Sequence, residues 1–298
     1  MAITTSTVTG FRPEIWAAAI MDPFEKASVF ADKLTANREY LGEIQRQGDT
    51  VHVSSIGTPT IKPYDANQDI EIEDLTVTDN AYKIDQGEYF AFRVEDVTAL
   101  QAAGPLKDPA TKKAAMALSM SVDSFIGKLI KDNAKKKIGA TKIVNDDPAT
   151  AGAGQITAYK ALNQLDLALN TESVTREGRF VVVGPQTYSA LLMDPRFTRV
   201  DGSGTSEGLR NGIVGRATGF DVLLSNNLPK GTGQNEVLCA GVAGGFSFAA
   251  QINKVETMRE EKRFADLVKG LMIFGGKVFY PEAFATLEAK VEDPAAGA

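Results

Sequence analysis

Cysteine and histidine are almost missing from this chain. Its 298 residues contain one of each, Cys239 and His52. A lone cysteine excludes an internal disulfide framework and a cysteine-based metal cluster. A lone histidine excludes most zinc sites, and any Ser-His-Asp or Cys-His arrangement would depend wholly on His52. His52 lies in a strand pattern with no nucleophile motif beside it. No apolar run approaches the roughly 18 residues of a membrane-spanning helix. The N-terminus, MAITTSTVTGFRPEIW, lacks the basic region and apolar core of a secretory signal. Basic excess is lacking too. A net charge of −6 argues against non-specific phosphate binding, which needs a cationic surface. Gly202, Gly204 and Gly208 have neither the dinucleotide spacing nor the Lys-Ser/Thr of a phosphate loop, so DGSGTSEGLRNG (201–212) reads as a surface loop. Asp146-Asp147 lacks the alternating oxygens of a calcium loop and reads as a turn. No catalytic, cofactor-binding or metal-binding residue is expected, and the chain does not read as an enzyme.

What is present is an ordinary globular composition, 43% hydrophobic and 8% aromatic, at a length that suits one large or two medium domains. The strongest single pattern is a long helix predicted over 108–137. Asp108 suits the N-cap and Pro109 the first helical position. Leu118, Val122, Phe125 and Leu129, flanked by Ile126 and Ile130, form one apolar stripe. Lys135, Lys136 and Lys137 suit the last turn, and Gly139 the stop. At ~1.5 Å per residue this helix spans roughly 45 Å, and its one apolar face needs a broad partner.

Around that helix the chain changes character several times. Residues 1–10 read as an arm, followed by short helices opened by Pro13 (Ile15, Trp16, Ile20) and by Asp22-Pro23 (Phe24, Val29, Phe30, Leu34). From 48 to 94 the pattern is that of strands: Val51 and Val53, a turn at 63–67, a return arm DIEIEDLTV (69–77), and EYFAFRV with Phe90, Phe92 and Val94 on one face. The middle of this stretch alternates but carries too little apolar mass for a core, so it needs support from elsewhere. A short helix is expected over 94–103, ended by Gly104-Pro105. Beyond a loop at 144–154, helices and strands alternate to about 249 as a compact α/β unit, with Cys239 as a small buried hydrophobe. The final part reads as a charged extended stretch (252–263) and strands at 271–274, 278–280 and 285–287. With Phe90, Phe92 and Val94 these would make a mixed sheet under the long helix.

Charge is unevenly placed. Ten acids lie between Asp65 and Asp96 against Lys83 and Arg93, whereas nine lysines lie between Lys107 and Lys142 against three aspartates. An acidic segment and a basic helix make complementary surfaces, which can meet within one subunit or between neighbours.

Three phrases carry a family resemblance: FVVVGPQTYSALLMDPRF, GIVGRATGFDVLLSNNLP and KVETMREEKRFADLVKGLMIFGGKVFYPEAFATLEA. In their order and spacing they resemble the major capsid proteins of tailed bacteriophages, with the Hong Kong 97-like α+β shell fold. The likeness covers nearly the whole chain. It implies an N-terminal arm (1–34), an extended β-hairpin loop (48–94), and a peripheral domain (35–47, 95–140, 250–292) built on the spine helix. An α/β apical domain (141–249) completes it. It also implies a structural protein that self-assembles, as hexamers and pentamers, into an icosahedral head around double-stranded DNA, without sequence-specific binding or membrane. A separate scaffolding protein, a portal and cement proteins are the partners it suggests, with assembly in the bacterial cytoplasm. The other reading of the same fold is an encapsulin-type nanocompartment shell.

On this reading, Ile61, Lys62, Tyr64, Ile70, Glu71, Ile72 and Glu73 of the loop and Lys112 and Lys113 of the helix are candidates for the subunit interface. Gly202, Gly204, Glu207 and Arg210 are candidates for a loop at the capsomer axis. Some relatives cross-link subunits through a Lys–Asn isopeptide bond. Lys62 is the only obvious lysine here, and no Asn follows Asn253, so no such bond is expected.

Overall fold

Among the described residues of the computed structural model, twelve strands, three α-helices and two single-turn 3-10 helices make up the regular structure. The structure describes residues 28–31, 50–56, 59–61, 72–75, 77–95, 107–144, 154–194, 215–260 and 265–292. Among them the strands form three sheets. A two-stranded ribbon pairs β1 (Thr50–Ile56) with β2 (Val77–Lys83). A three-stranded antiparallel sheet has the order β10 (Phe246–Arg259), β11 (Ala265–Val278), β3 (Gln86–Glu95). A seven-stranded mixed sheet runs β5 (Gln155–Ile156), β4 (Lys136–Val144), β12 (Phe284–Glu292), β9 (Glu236–Val242), β6 (Arg179–Val183), β8 (Phe220–Leu224), β7 (Arg216–Ala217).

The long helix α1 (Lys107–Asn133) connects the two larger sheets. It touches β11 on one side and β9 and β12 on the other. Ala115, Leu118, Val122, Ile126 and Ile130 are all buried, and Phe125 meets Phe274 of β11 edge-on at 5.3 Å. One continuous hydrophobic cluster runs through both sheets by way of this helix. Gly127 is where the loop before β9 crosses: a Cβ there would stand 2.9 Å from the Pro229 ring.

The helix ends four residues earlier than its lysines suggest. Ala134 is buried, Lys135 donates its N–H to the Pro281 carbonyl at 2.9 Å, and β4 starts at Lys136. The stretch KKIGATKIV alternates, and pairing beside β12 gives more than a further helical turn with a glycine in it. Of the three lysines, Lys137 does reach back, donating to the Asp132 carbonyl at 2.7 Å. Lys135 and Lys136 instead hold Glu172 at 2.7 and 3.1 Å. At the other end Asp108 and Pro109 lie inside the first turn, where a missing N–H costs nothing.

The expected closing sheet is also different. Residues 271–278 are not two strands around a glycine turn but part of a single strand, β11, which runs through Gly275 and Gly276 and ends before Phe279 and Tyr280. A Cβ on Gly275 would lie 2.9 Å from the Lys83 carbonyl oxygen, and one on Gly276 would lie 3.0 Å from that of Ser247. These glycines serve close approach, not chain reversal. The sheet with Phe90 and Phe92 is purely antiparallel, and 285–287 is absent from it. That segment belongs to β12, between β4 and β9, where Phe284, Ala285 and Leu287 are fully buried.

Two further helices flank the larger sheet. In α2 (Ala158–Thr171), Thr157 caps by accepting the Lys160 N–H at 3.2 Å, and Leu162, Leu165 and Leu169 face inward. α3 (Pro185–Met193) has glycine at its N-cap, so the cap comes from β9. The buried Glu236 carboxylate accepts the N–H groups of Gln186 and Thr187 at 3.2 Å each, and the Thr187 hydroxyl at 2.9 Å. Gly184 leaves room for that carboxylate, which a Cβ would meet at 2.3 to 2.5 Å. Arg179 is buried at the start of β6, paired with Asp166 and the carbonyls of Val174 and Thr175. Cys239 is fully buried, and desolvation pushes its thiol up to about 12.

Residues 28–31 dock on α1. The Asp123 carboxylate accepts the Ser28 hydroxyl at 2.6 Å and the N–H groups of Val29 and Phe30 at 2.9 and 3.1 Å. The Ser28 hydroxyl accepts the Ala31 N–H at 3.0 Å. This is a helix-start pattern of donors, completed by a carboxylate from another element. Burial outweighs these bonds and raises the Asp123 carboxyl above its ordinary value. In that interval the folded protein holds a proton that the unfolded chain has lost, so this group favours folding more as pH falls through it. Asp123→Asn removes the titration. Its stability is expected to vary less steeply with pH across that interval than the parent's, by denaturant unfolding in a series of acid buffers. Glu172 has the opposite sign: its lysine partners lower its carboxyl, and what they contribute is lost on acidification.

The short helix expected over 94–103 does not begin at Val94, because Val94 and Glu95 pair with β11 as the end of β3. Residues 28–31, expected inside the second arm helix, form a turn. The rest of both arm helices, 96–103, most of the loop expected over 144–154 (Val144 ends β4) and the whole of 195–214 lie outside the described residues.

Candidate assembly interface

The ribbon is anchored at its root on β10 and β11. Tyr82 and Ile84 are buried in a small separate cluster with Ala249 and Ile273. The Tyr82 hydroxyl lies 3.1 Å from the Ser247 hydroxyl, and Lys277 donates to the Ala81 carbonyl at 3.2 Å. Gly275 allows the backbone at Lys83–Ile84 to lie flat on β11. Gly275→Val would drive two methyl groups into that backbone. It is expected to cost about 1–3 kcal/mol and to loosen the ribbon root, read as faster amide exchange at 82–84.

The return strand β2 begins at Val77, the last residue of DIEIEDLTV, and the described residues 72–75 of that stretch are not strand. Pairing runs from Thr50↔Lys83 to Ile56↔Val77. The buried Tyr82–Ile84 root sets this register, whereas the described apolar side chains of the acid-rich arm, Ile72 and Leu75, are exposed and do not compete for it. Past the paired strands, Glu73 holds the two arms together by accepting the Thr60 N–H at 3.1 Å and its hydroxyl at 3.3 Å. Just beyond that staple, Ile61 is 96% and Ile72 92% exposed, with Glu73, Asp74 and Leu75 also exposed. An isoleucine side chain gains about 1.5–3 kcal/mol when it passes from such exposure to full burial.

Of the residues expected at an interface, Ile61, Ile72 and Glu73 therefore lie together near the ribbon tip, and Lys113 is exposed on α1. Lys62, Tyr64, Ile70 and Glu71, the Lys112 side chain, and Gly202, Gly204, Glu207 and Arg210 lie outside the described residues. His52 is in β1, opposite Ala81. Among the described residues no group of three or more His, Cys, Asp or Glu side chains gathers as a metal site would require. No described helix is long and apolar enough to cross a membrane.

Sequence reasoning missed Met116 and Met120, which are 59% and 49% exposed on α1. The signal was available, because 116 and 120 fall off the stripe marked by Leu118, Val122 and Ile126. It also missed the Asp123–Ser28 contact, which no periodicity announces.

Comparison with known proteins agrees with this architecture. The model of the family described as phage capsid protein matches residues 78–287. No curated protein matches the chain in sequence. A structure from Mycobacterium phage Che8 is similar at a TM-score of 0.69 and 28% identity, over 87% of this chain and 90% of that one. The capsid of cyanophage P-SCSP1u superposes at 0.65 with 15% identity, over 98% and 93%. A virus-like particle from Pyrococcus furiosus is less similar, at 0.54 and 17%, over 93% and 99%. With the matched family model spanning most of its length, the chain belongs to the phage capsid protein family and is a structural shell protein of the Hong Kong 97-like α+β fold.

Proposed function

We propose that copies of this protein close into hexamers and pentamers, and these into the icosahedral head that encloses the double-stranded DNA of a tailed phage. The observation that carries the assembly step is the rooted ribbon with Ile61 and Ile72 exposed near its tip. A subunit alone has no gain from holding them in water. The acidic arm around Glu73 and Asp74 is matched to a basic surface of a neighbour, with Lys112 and Lys113 on that surface. In a head-to-tail contact of this kind, donor and acceptor patches differ, so a ring forms when the rotation closes. The peripheral and apical domains divide the labour: the first, with the ribbon and spine helix, joins neighbours, and the second carries the 201–212 loop toward the capsomer axis. A separate scaffolding protein guides assembly in the host cytoplasm, a portal and cement proteins join the head, and no reaction is catalysed.

Electron microscopy of the purified protein, with and without a scaffolding partner, tests this reading. Closed shells or capsomer rings are the expected result. A stable monomer under both conditions refutes it. Assembled particles should also run as single-chain bands on a denaturing gel, since no isopeptide partner follows Asn253. Covalent ladders would show the opposite.

A further inference from the structure

Four lysines gather at the carboxyl end of α1, and the fold holds them together. Lys128 and Lys131 lie one turn apart on the same side of the helix. The loop before β9 crosses the helix at Gly127, and the Lys131 ammonium donates to the Lys230 carbonyl at 2.7 Å, which places Lys230 beside them. Lys137 reaches back to the Asp132 carbonyl at 2.7 Å. No described carboxylate forms an ion pair with any of the four, whereas Lys135 and Lys136 are paired with Glu172 and Lys142 with Glu292. Asp132 is the exposed acid among them. Glu288, half-buried beside Gly231, is engaged by the Asn235 amide at 2.8 Å. The helix dipole accounts for Lys131, in the last turn, and for Lys137, bonded to a terminal carbonyl. It accounts for neither Lys128, which precedes the last turn, nor Lys230, which is on another element.

We propose that this lysine cluster is a contact for the phosphate backbone of the enclosed DNA. The inference rests on the reading of the chain as the shell of a DNA-filled head and deepens it, by naming where the shell meets what it holds. Charge and the character of the surrounding surface decide the occupant. From Ser124 to Lys137, and from Ser225 to Asn235, no large apolar side chain is exposed. A protein partner is gripped chiefly by buried apolar and aromatic anchors, whereas a duplex is held by cations that displace its counterions. With four lysines around Asp132, the cluster is cationic although the chain as a whole carries −6. The contact reads no base sequence, because lysines meet phosphates as point charges.

The test is fluorescence anisotropy of a short labelled DNA duplex, titrated with unassembled full-length chain at several salt concentrations. The parent should bind, with an affinity that falls steeply as salt rises. Lys128→Gln with Lys230→Gln should weaken binding about tenfold at low salt and lower the slope of log affinity against log salt by about two, roughly one per lysine. Neither side chain bonds to another described group, so thermal unfolding should be unchanged. Lys83→Gln with Lys160→Gln removes the same charge from other exposed positions and should leave affinity at the parent's value. A parent that does not bind the duplex at low salt, a Lys128/Lys230 variant that binds as the parent does, or an equal loss in the control pair overturns the proposal. Electron microscopy of the same chains separates this result from the shell reading. Shells from the Lys128/Lys230 variant, alongside weakened DNA binding, support the proposal. Shells lost while DNA binding is kept would mean that the cluster seats a protein, and overturn it. A parent that forms no shells refutes the shell reading, and this inference falls with it.

Discussion

Chains carrying Ile61→Asp and Ile72→Asp together are expected to fold as the parent does and to form no shells. Both side chains are almost wholly exposed in the subunit, so their replacement costs the isolated fold little. In the assembled state each would place a carboxylate where an apolar contact belongs. That forfeits about 1.5–3 kcal/mol of burial per side chain and adds the cost of desolvating a charge next to existing acids. The penalty recurs at every contact of a ring and multiplies through the shell. Circular dichroism and thermal unfolding should be unchanged within error, while sedimentation shows only the free subunit. Shells at the parent's yield would mean that the ribbon tip does not bear on assembly.

The second large effect lies inside the subunit. Asp123→Ala is expected to destabilise by about 3 kcal/mol, measured by denaturant unfolding. The substitution leaves the Ser28 hydroxyl and the Val29 and Phe30 N–H groups without the carboxylate they share. It also opens a gap beside Phe30, which is fully buried. Asp123→Asn should fall between parent and alanine, because an amide offers one acceptor oxygen and turns its other end, a donor, toward donors. Segment 28–31 should become protease-sensitive in the alanine variant before the rest of the fold melts. An unchanged midpoint would show that the segment stays down by apolar packing alone.

How much of this was legible beforehand varied with the kind of signal. Helix α1 was visible because its stripe recurs over many turns, and α2, α3 and β6 were visible for the same reason of strong local pattern. Its end was misplaced because three lysines and a glycine satisfy local rules for a helix terminus, while the pairing of β4 with β12 is a contact across some 150 positions that local rules do not see. Gly275 and Gly276 were misread for a related reason. A glycine pair in sequence looks the same whether the chain turns there or another backbone passes close by. The ribbon's existence followed from alternation, but its register did not, because register depends on Tyr82 and Ile84 finding the far side of β11. For the interface, the acid and lysine blocks pointed to the ribbon and the long helix. Which side chains stand out from them required knowing which face of α1 the core consumes.

The position of β12 has a consequence for timing. It is the last described strand in the chain, and it is also the one that joins β4 and β5 to the rest of the larger sheet. While the chain is being made, the spine helix and β4 are therefore present long before their sheet can close around them. Until residues 284–292 leave the ribosome, Ile143 and Val144 lack their neighbour and the core around Phe284 lacks its plug. The ribbon's own root on β10 and β11 is complete by then, so the larger sheet closes after the ribbon is seated. The order of synthesis thus makes the long-range pairing of β12 with β4 and β9 the last step in closing the larger sheet.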